Sequence, residues 1–200
     1  KCLAELVDQE ASASRLVRLL GASSEFARPL IAHPDDLAEV IRDPVRLGHD
    51  EIRDDLLEVV GAHKEGEFMV AGAPTGPASD RLRLANRRHL VRIASRDVSA
   101  DDPTEIIEDV AAELADLADG IVTAALALAR AGCPDHADAR LAIIARGKCG
   151  AQELNYISDV DVIYVAEPAN DDVSGTSAVT IATKLAASEA SMCSAHAGAG

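Results

Sequence analysis

Aromatic residues are almost absent from this sequence, which has no Trp and only two Tyr and two Phe in 200 residues. Hydrophobic residues still make up 48% of the chain, so its core must be built mainly from Ala, Leu, Val and Ile. Such a core suits packed helices with a few buried strands. A chain of this length can form one domain or two small ones.

Basic residues are also scarce, because 19 Lys and Arg stand against 34 Asp and Glu, for a formal net charge of -15. Nonspecific binding to nucleic acids and to anionic membranes depends on basic surface. We therefore expect neither a nucleic acid nor a membrane as a partner, although a local basic patch remains compatible with this composition. The longest apolar segment, residues 121–129, is too short to cross a bilayer.

Paired metal-binding motifs are missing as well. The four cysteines, Cys2, Cys133, Cys149 and Cys193, form no Cys-x-x-Cys pair, and the six histidines show no close metal pair. This spacing argues against a zinc site or a disulfide framework and indicates reduced thiols in a cytoplasmic protein. The P-loop is absent too, because Ala142 stands where its first Gly would be and Cys149 follows Lys148.

Helical spacing dominates the first part of the chain. Residues 1–62 predict several short helices, which we interpret as a packing scaffold rather than a docking surface. Residues 61–79 contain four Gly and two Pro, and this composition predicts a linker or a long loop.

An arginine-rich helix is predicted over residues 80–98, followed by an acidic helix over residues 103–130. Arg81, Arg88, Arg92 and Arg96 share one face at 100° per residue. The acidic helix begins with Asp102 as N-cap, and eight acids without a base lie between residues 101 and 119. An anion-binding stripe is one interpretation of the arginines. We favour an antiparallel helix pair in which they bind the acids.

The chemistry is concentrated in residues 141–165. Two apolar runs, at 141–145 and 160–165, predict strands, and a helix is expected at 178–193. Asp159 and Asp161 would share a strand face and could hold a divalent cation through their oxygens. Gly147 permits a tight turn close to a phosphate, Lys148 supplies positive charge, and Ser158 can donate to a phosphate oxygen or cap the turn.

The spacing of this motif is specific, since eleven residues separate Gly147 from Asp159-Val160-Asp161. It resembles the Gly-x11-Asp-x-Asp signature of the DNA polymerase β-type nucleotidyltransferase superfamily. Within it, the sequences at 147–150, 153–156 and 158–163 closely resemble the glutamine synthetase adenylyltransferase family. The similarity extends upstream to residues 15–21, 33–34 and 87–97.

This resemblance implies a mostly helical α+β fold, with a helical segment at 1–75 and a truncated polymerase β-like nucleotidyltransferase core at 76–200. It implies Asp159 and Asp161 as catalytic ligands of Mg²⁺ or Mn²⁺, and Gly147, Lys148 and Ser158 as the nucleotide phosphate site for ATP or ADP. The superfamily's third carboxylate is expected after Gly200. We therefore expect an incomplete site and no turnover by these 200 residues alone.

Members of the family transfer AMP from ATP to a tyrosine of glutamine synthetase, or remove it by phosphorolysis with release of ADP, under control of PII-type proteins. Glu153-Leu154-Asn155 resembles the adenylyl-removing half. One alternative is another superfamily member, such as the PII uridylyltransferase, although residues 149–156 argue against it. A second alternative is a noncatalytic helical module that binds a PII-type protein or glutamine synthetase.

Overall fold

The structure is a computed structural model that describes residues 10–72 and 75–197. Four helices open it: α1 (Glu10–Ala22), α2 (Ser24–Ala32), α3 (Leu37–Ile41) and α4 (His49–Val59). The Ser23 hydroxyl caps α2 by accepting from the Glu25 amide at 3.1 Å, and a short 3-10 turn, Pro34–Asp36, leads into α3. The predicted series of short helices is confirmed over the described residues.

A β-hairpin replaces the linker predicted at residues 61–79. Strands β1 (Ala62–Glu65) and β2 (Phe68–Ala71) pair antiparallel, with Glu65 opposite Phe68 across a two-residue turn. Phe68 and Val70 are buried, and the Arg130 guanidinium lies 5.0 Å from the centre of the Phe68 ring. The linker prediction was wrong because glycines that suggested a loop, such as Gly66 with φ +61°, form the turn of a hairpin.

Two long helices, α5 (Thr75–Asp97) and α6 (Pro103–Ala131), form the centre of the fold. Asp102 caps α6, since its side chain accepts from the Thr104 amide at 2.9 Å. Arg96 binds Asp109, while the earlier Arg92 binds the later Glu113 at 2.9 Å, as expected for helices that run in opposite directions. The predicted antiparallel pair is confirmed, with both helices slightly longer than the sequence pattern indicated.

The second sheet follows α6 and consists of β3 (Ala139–Ala145) and β4 (Val162–Pro168), paired antiparallel from Ala139 opposite Pro168 to Ala145 opposite Val162. Helix α7 (Gly147–Gly150) is a single turn between the two strands, and α8 (Gly175–Ala197) closes the described chain. One face of the sheet packs on α6 and α8 through residues that include Leu126, Leu141 and Leu185. The opposite face exposes Ile144, Ile163 and Val165.

The main core extends across the domain boundary predicted at residues 75 and 76. Ile52 and Leu56 of α4 belong to the same buried cluster as Leu82 of α5 and Leu114 of α6. A second cluster joins α1, α2 and α3 to α5. The mostly helical α+β fold class is confirmed, whereas the division into two domains remains a prediction.

Three of the four cysteines lie within the described residues. Cys133, Cys149 and Cys193 are free, and Cys2 lies outside the described residues. Within residues 10–72 and 75–197, no helix combines the length and apolar character needed to cross a bilayer.

Candidate functional site

The site is centred on the turn that joins β3 to α7. The Arg146 amide donates to the Asp161 carbonyl at 2.8 Å, which continues the ladder one pair beyond Ala145 and Val162. Gly147 follows at once with φ +54°, a conformation that favours glycine. A Cβ atom placed on Gly147 would lie 3.1 Å from Asp161 Oδ2. The strand register therefore brings the predicted phosphate turn and one predicted metal ligand into contact.

Gly150 is a second essential glycine, which the sequence analysis did not select. A Cβ atom at this position would lie 2.5 Å from the Ala145 carbonyl oxygen. Because the clash is with backbone, no side-chain rotation could relieve it. The glycine lets α7 fold back against the end of β3, with the Gly150 amide donating to the Arg146 carbonyl at 3.0 Å. The repeated glycine at 147 and 150 was the available signal.

The two carboxylates lie slightly earlier than predicted relative to the strand. We expected β4 to span residues 160–165, but it begins at Val162, so Asp159 and Asp161 precede it. The pleat of a strand consequently does not orient Asp159, and only Asp161 is held by the extended ladder. Both residues are exposed, as is Lys148, while Ser158 is half-buried.

Four of the predicted site side chains are free of contacts with other polar groups in the part of the chain that the structure describes. Within the described ranges, no hydrogen bond or ion pair engages the side chains of Lys148, Ser158, Asp159 or Asp161. Many other charged side chains are paired; Arg140, for example, binds Glu67 at 2.9 Å and Glu167 at 3.4 Å. The polar groups of the site are therefore available to ligands.

The donor set fits a divalent cation that is shared with substrate phosphates. Mg²⁺ is usually held by one or two carboxylates together with phosphate oxygens and water. Asp159 and Asp161 provide two such carboxylates. Among the described residues, no group of three or more His, Cys, Asp or Glu could enclose a metal ion.

The loop after α7 is anchored to the helical core. Leu154 is buried in the main core cluster, and the Tyr156 hydroxyl donates to Asp97 Oδ2 at 2.9 Å. Tyr156 also contacts Phe26 edge-on, with ring centres 5.8 Å apart. Burial, followed by the charge of Asp97, raises the pKa of Tyr156, so the phenol stays neutral and serves as an anchor.

The arginine stripe is used within the protein, and two of its four arginines bind the acidic helix as we expected. Arg96 binds Asp109 and Glu113 of α6, and Arg92 binds Glu113. Arg88 instead binds Asp36, which is 1% exposed, and Arg81 donates to the Val59 carbonyl. The stripe thus joins α5 to α6 and to the N-terminal helices, rather than forming an anion site.

Comparison with known proteins assigns the class. The family model for glutamate-ammonia ligase adenylyltransferase matches residues 13–200. A Cutibacterium acnes protein named bifunctional glutamine synthetase adenylyltransferase/adenylyl-removing enzyme is 90% identical over 200 residues, which cover 100% of this chain and 20% of that protein. No solved structure gives a significant match.

More distant relatives carry the same name. A Streptomyces avermitilis protein is 44% identical over 181 residues, covering 90% of this chain and 16% of the relative. A Mycobacterium tuberculosis protein is 41% identical over 169 residues, covering 82% of this chain and 16% of the relative.

This chain belongs to the glutamate-ammonia ligase adenylyltransferase family. It spans about a fifth of the length of the curated relatives that it matches.

Proposed function

We propose that this chain supplies the metal-binding and phosphate-binding residues of a site that transfers AMP to or from a tyrosine of glutamine synthetase. The contact between Gly147 and Asp161 carries this proposal, because it combines a backbone turn of positive φ with a neighbouring carboxylate that no other described residue binds. Membership of the adenylyltransferase family supports the same chemistry. The names of the relatives support glutamine synthetase as the protein substrate.

Each candidate residue has a proposed role that follows from its chemistry. Asp159 and Asp161 would hold Mg²⁺ or Mn²⁺ together with the phosphates of ATP or ADP. When bound, the cation would neutralise the negative charge that develops during the transfer of AMP. Gly147 leaves the backbone open to a phosphate, and Lys148 adds a positive charge in the same turn. The Ser158 hydroxyl donates to a phosphate oxygen.

The adenylyl-removing direction is the more specific part of the proposal. There, inorganic phosphate attacks the AMP group on the modified tyrosine, the tyrosine oxygen leaves, and ADP is released. The similarity of Glu153-Leu154-Asn155 to that half of the family supports this assignment. We further propose a PII-type regulator as partner and a cytoplasmic location.

The test places this 200-residue sequence, in register, into the full-length Cutibacterium acnes relative, to which it is 90% identical. Glutamine synthetase carrying labelled AMP is supplied with inorganic phosphate and Mg²⁺ or Mn²⁺, and labelled ADP is measured. Asp159→Asn and Asp161→Asn should each reduce the rate at least about 100-fold, because loss of a residue that only supports a metal ligand already costs about 10–100-fold. Asp171→Asn, an exposed acid after β4, is the matched control.

Two results would redirect the proposal. If the aspartate variants lose incorporation of AMP from ATP but keep ADP release, the chain serves the adenylylating half. If both activities survive while binding to glutamine synthetase or a PII-type protein depends on other residues of the chain, the noncatalytic module is the correct interpretation.

A further inference from the structure

Gln152 has an unusual backbone next to the candidate site. Its φ is +59°, and it is the one non-glycine residue with positive φ among the described residues. Gln152 follows the end of α7, where a residue of positive φ commonly terminates a helix. Glycine is the usual residue at such a position, because it adopts this conformation without strain. Gln152 is less favourable there than glycine, but its side chain makes a contact that glycine could not make.

The side chain of Gln152 reaches the long central helix. Its amide Nε2 donates to Asp116 Oδ1 of α6 at 3.1 Å. Asp116 is 4% exposed, so its carboxylate is held by the surrounding core. Arg46 lies 4.0 Å from the other carboxylate oxygen. The acceptor of the Gln152 amide is thus part of the rigid centre of the fold.

The backbone around Gln152 closes directly on the phosphate turn. The Gln152 amide donates to the Cys149 carbonyl at 3.1 Å, and the Glu153 amide donates to the Lys148 carbonyl at 2.8 Å. The preceding residue, Ala151, donates to the Gly147 carbonyl at 3.0 Å. Movement of Gln152 would consequently shift the peptides that carry Gly147 and Lys148.

Apolar contacts already hold the loop in place without this bridge. Cys149 and Leu154, on either side of Gln152, are both buried in the main core cluster. Loss of the amide would therefore leave the loop attached to α6, but with less restriction on how the turn is oriented. A role of Gln152 in orienting the turn can therefore be distinguished from a role in folding of the loop.

We propose that Gln152, anchored by Asp116, is a positioning residue that sets the orientation of the Gly147-Lys148 turn toward the nucleotide phosphates. This inference rests on the proposed function of that turn. Under this proposal, helix α6 contacts the site through the side-chain hydrogen bond between Gln152 and Asp116.

Gln152→Gly in the full-length graft is the decisive variant, because glycine removes the amide and also relieves the backbone strain. We expect unchanged or raised thermal stability together with a KM for the phosphate substrate raised roughly tenfold, the scale for a lost hydrogen bond to a charged group. Gln152→Asn, which tolerates positive φ and keeps an amide, should restore part of the affinity. An unchanged KM in Gln152→Gly would overturn the inference.

A double-mutant cycle with Asp116 tests the bridge itself. Asp116→Asn keeps an acceptor oxygen and should change KM less than about twofold, whereas Asp116→Ala should match Gln152→Gly. The double variant Asp116→Ala/Gln152→Gly should be no worse than either single variant. If the KM increases of the two single variants multiply in the double variant, the two residues act independently, and the proposed bridge is contradicted. If Asp159→Asn and Asp161→Asn leave activity intact, the proposed function fails instead, whatever Gln152 does.

Discussion

The Asp161 carboxylate lies directly over the open side of Gly147, with Oδ2 3.1 Å from the place that a Cβ atom would occupy. The positive φ of Gly147 and the hydrogen bond from the Arg146 amide to the Asp161 carbonyl together hold the turn close to the carboxylate. The turn that we propose for phosphate and the acid that we propose for a cation therefore lie side by side. The positive φ favours glycine at this position, and a methyl group there would crowd the Asp161 carboxylate.

Gly147→Ala should lower the free energy of unfolding by about 1–2 kcal/mol, because alanine is strained at positive φ and its methyl group crowds Asp161. Urea denaturation measures the loss. Gly21→Ala is the control, since Gly21 lies in α1 with no atom within 4 Å of its missing Cβ. That variant should be neutral or stabilising by up to about 1 kcal/mol. Equal effects of the two variants would argue against the described turn.

Glu113 should be the acid whose loss costs the fold most among those of α6. It is 0% exposed and accepts from Arg96 at 2.6 Å, from Arg92 at 2.9 Å and from the Leu47 amide at 3.0 Å. Glu113→Ala leaves two arginines without their buried partner, so we expect a loss of about 3–5 kcal/mol in urea denaturation.

The matched control for Glu113 is Glu108→Ala, which removes an exposed acid from the same helix and should cost less than about 0.5 kcal/mol. A loss below about 1 kcal/mol for Glu113→Ala would show that the three-way contact does not hold α5 against α6.

His49 and His89 should titrate on opposite sides of the ordinary histidine value. The hydrogen bond that His49 donates to Asp119, at 2.7 Å, raises the pKa of His49 above 6.5, whereas burial lowers the pKa of His89. NMR titration of the ring protons measures both. Asp119→Asn should lower the pKa of His49 and leave that of His89 unchanged.

The raised pKa also fixes the sign of a stability effect. Charged His49 favours the folded state, so its contribution is fully present below pH 6.5 and fades as the pH rises through the folded-state pKa. The stability difference between the native chain and Asp119→Asn should therefore be greatest in acid and shrink above neutrality. A difference that grows with pH would contradict the assignment.

Local sequence signals predicted the helices and the motif, because caps, periodicity and the Gly147 to Asp161 spacing lie within short stretches. Asp102 and the acid-rich start of α6 are examples. The same local reasoning failed at the hairpin, where the four-residue strand at Phe68 is stabilised by contact with the distant Arg130. It also gave no indication that Asp36 would bind Arg87 and Arg88, about fifty positions later.

Within the site, the metal and phosphate roles of the selected residues stay predictions, and the sequence alone did not indicate which residues support the turn. Gly150 is required by a clash with the Ala145 backbone, and Gln152 by a partner on α6. Both requirements depend on how β3, α7 and α6 meet in three dimensions. The separation of Asp159 from the strand was likewise set by the register of β3 and β4, which no single stretch encodes.

The central claim is that a divalent cation and nucleotide phosphates bind at the Gly147–Asp161 contact. Amide NMR spectra of the chain with Mn²⁺ and a non-hydrolysable ATP analogue test it most directly, since the paramagnetic ion broadens signals near its binding site. We predict selective broadening at residues 147–149 and 158–161, loss of that broadening in Asp161→Asn, and sharp signals in the hairpin at residues 62–71. Broadening centred instead on the acids around Asp50, Asp54 and Asp119, unaffected by Asp161→Asn, would contradict the claim.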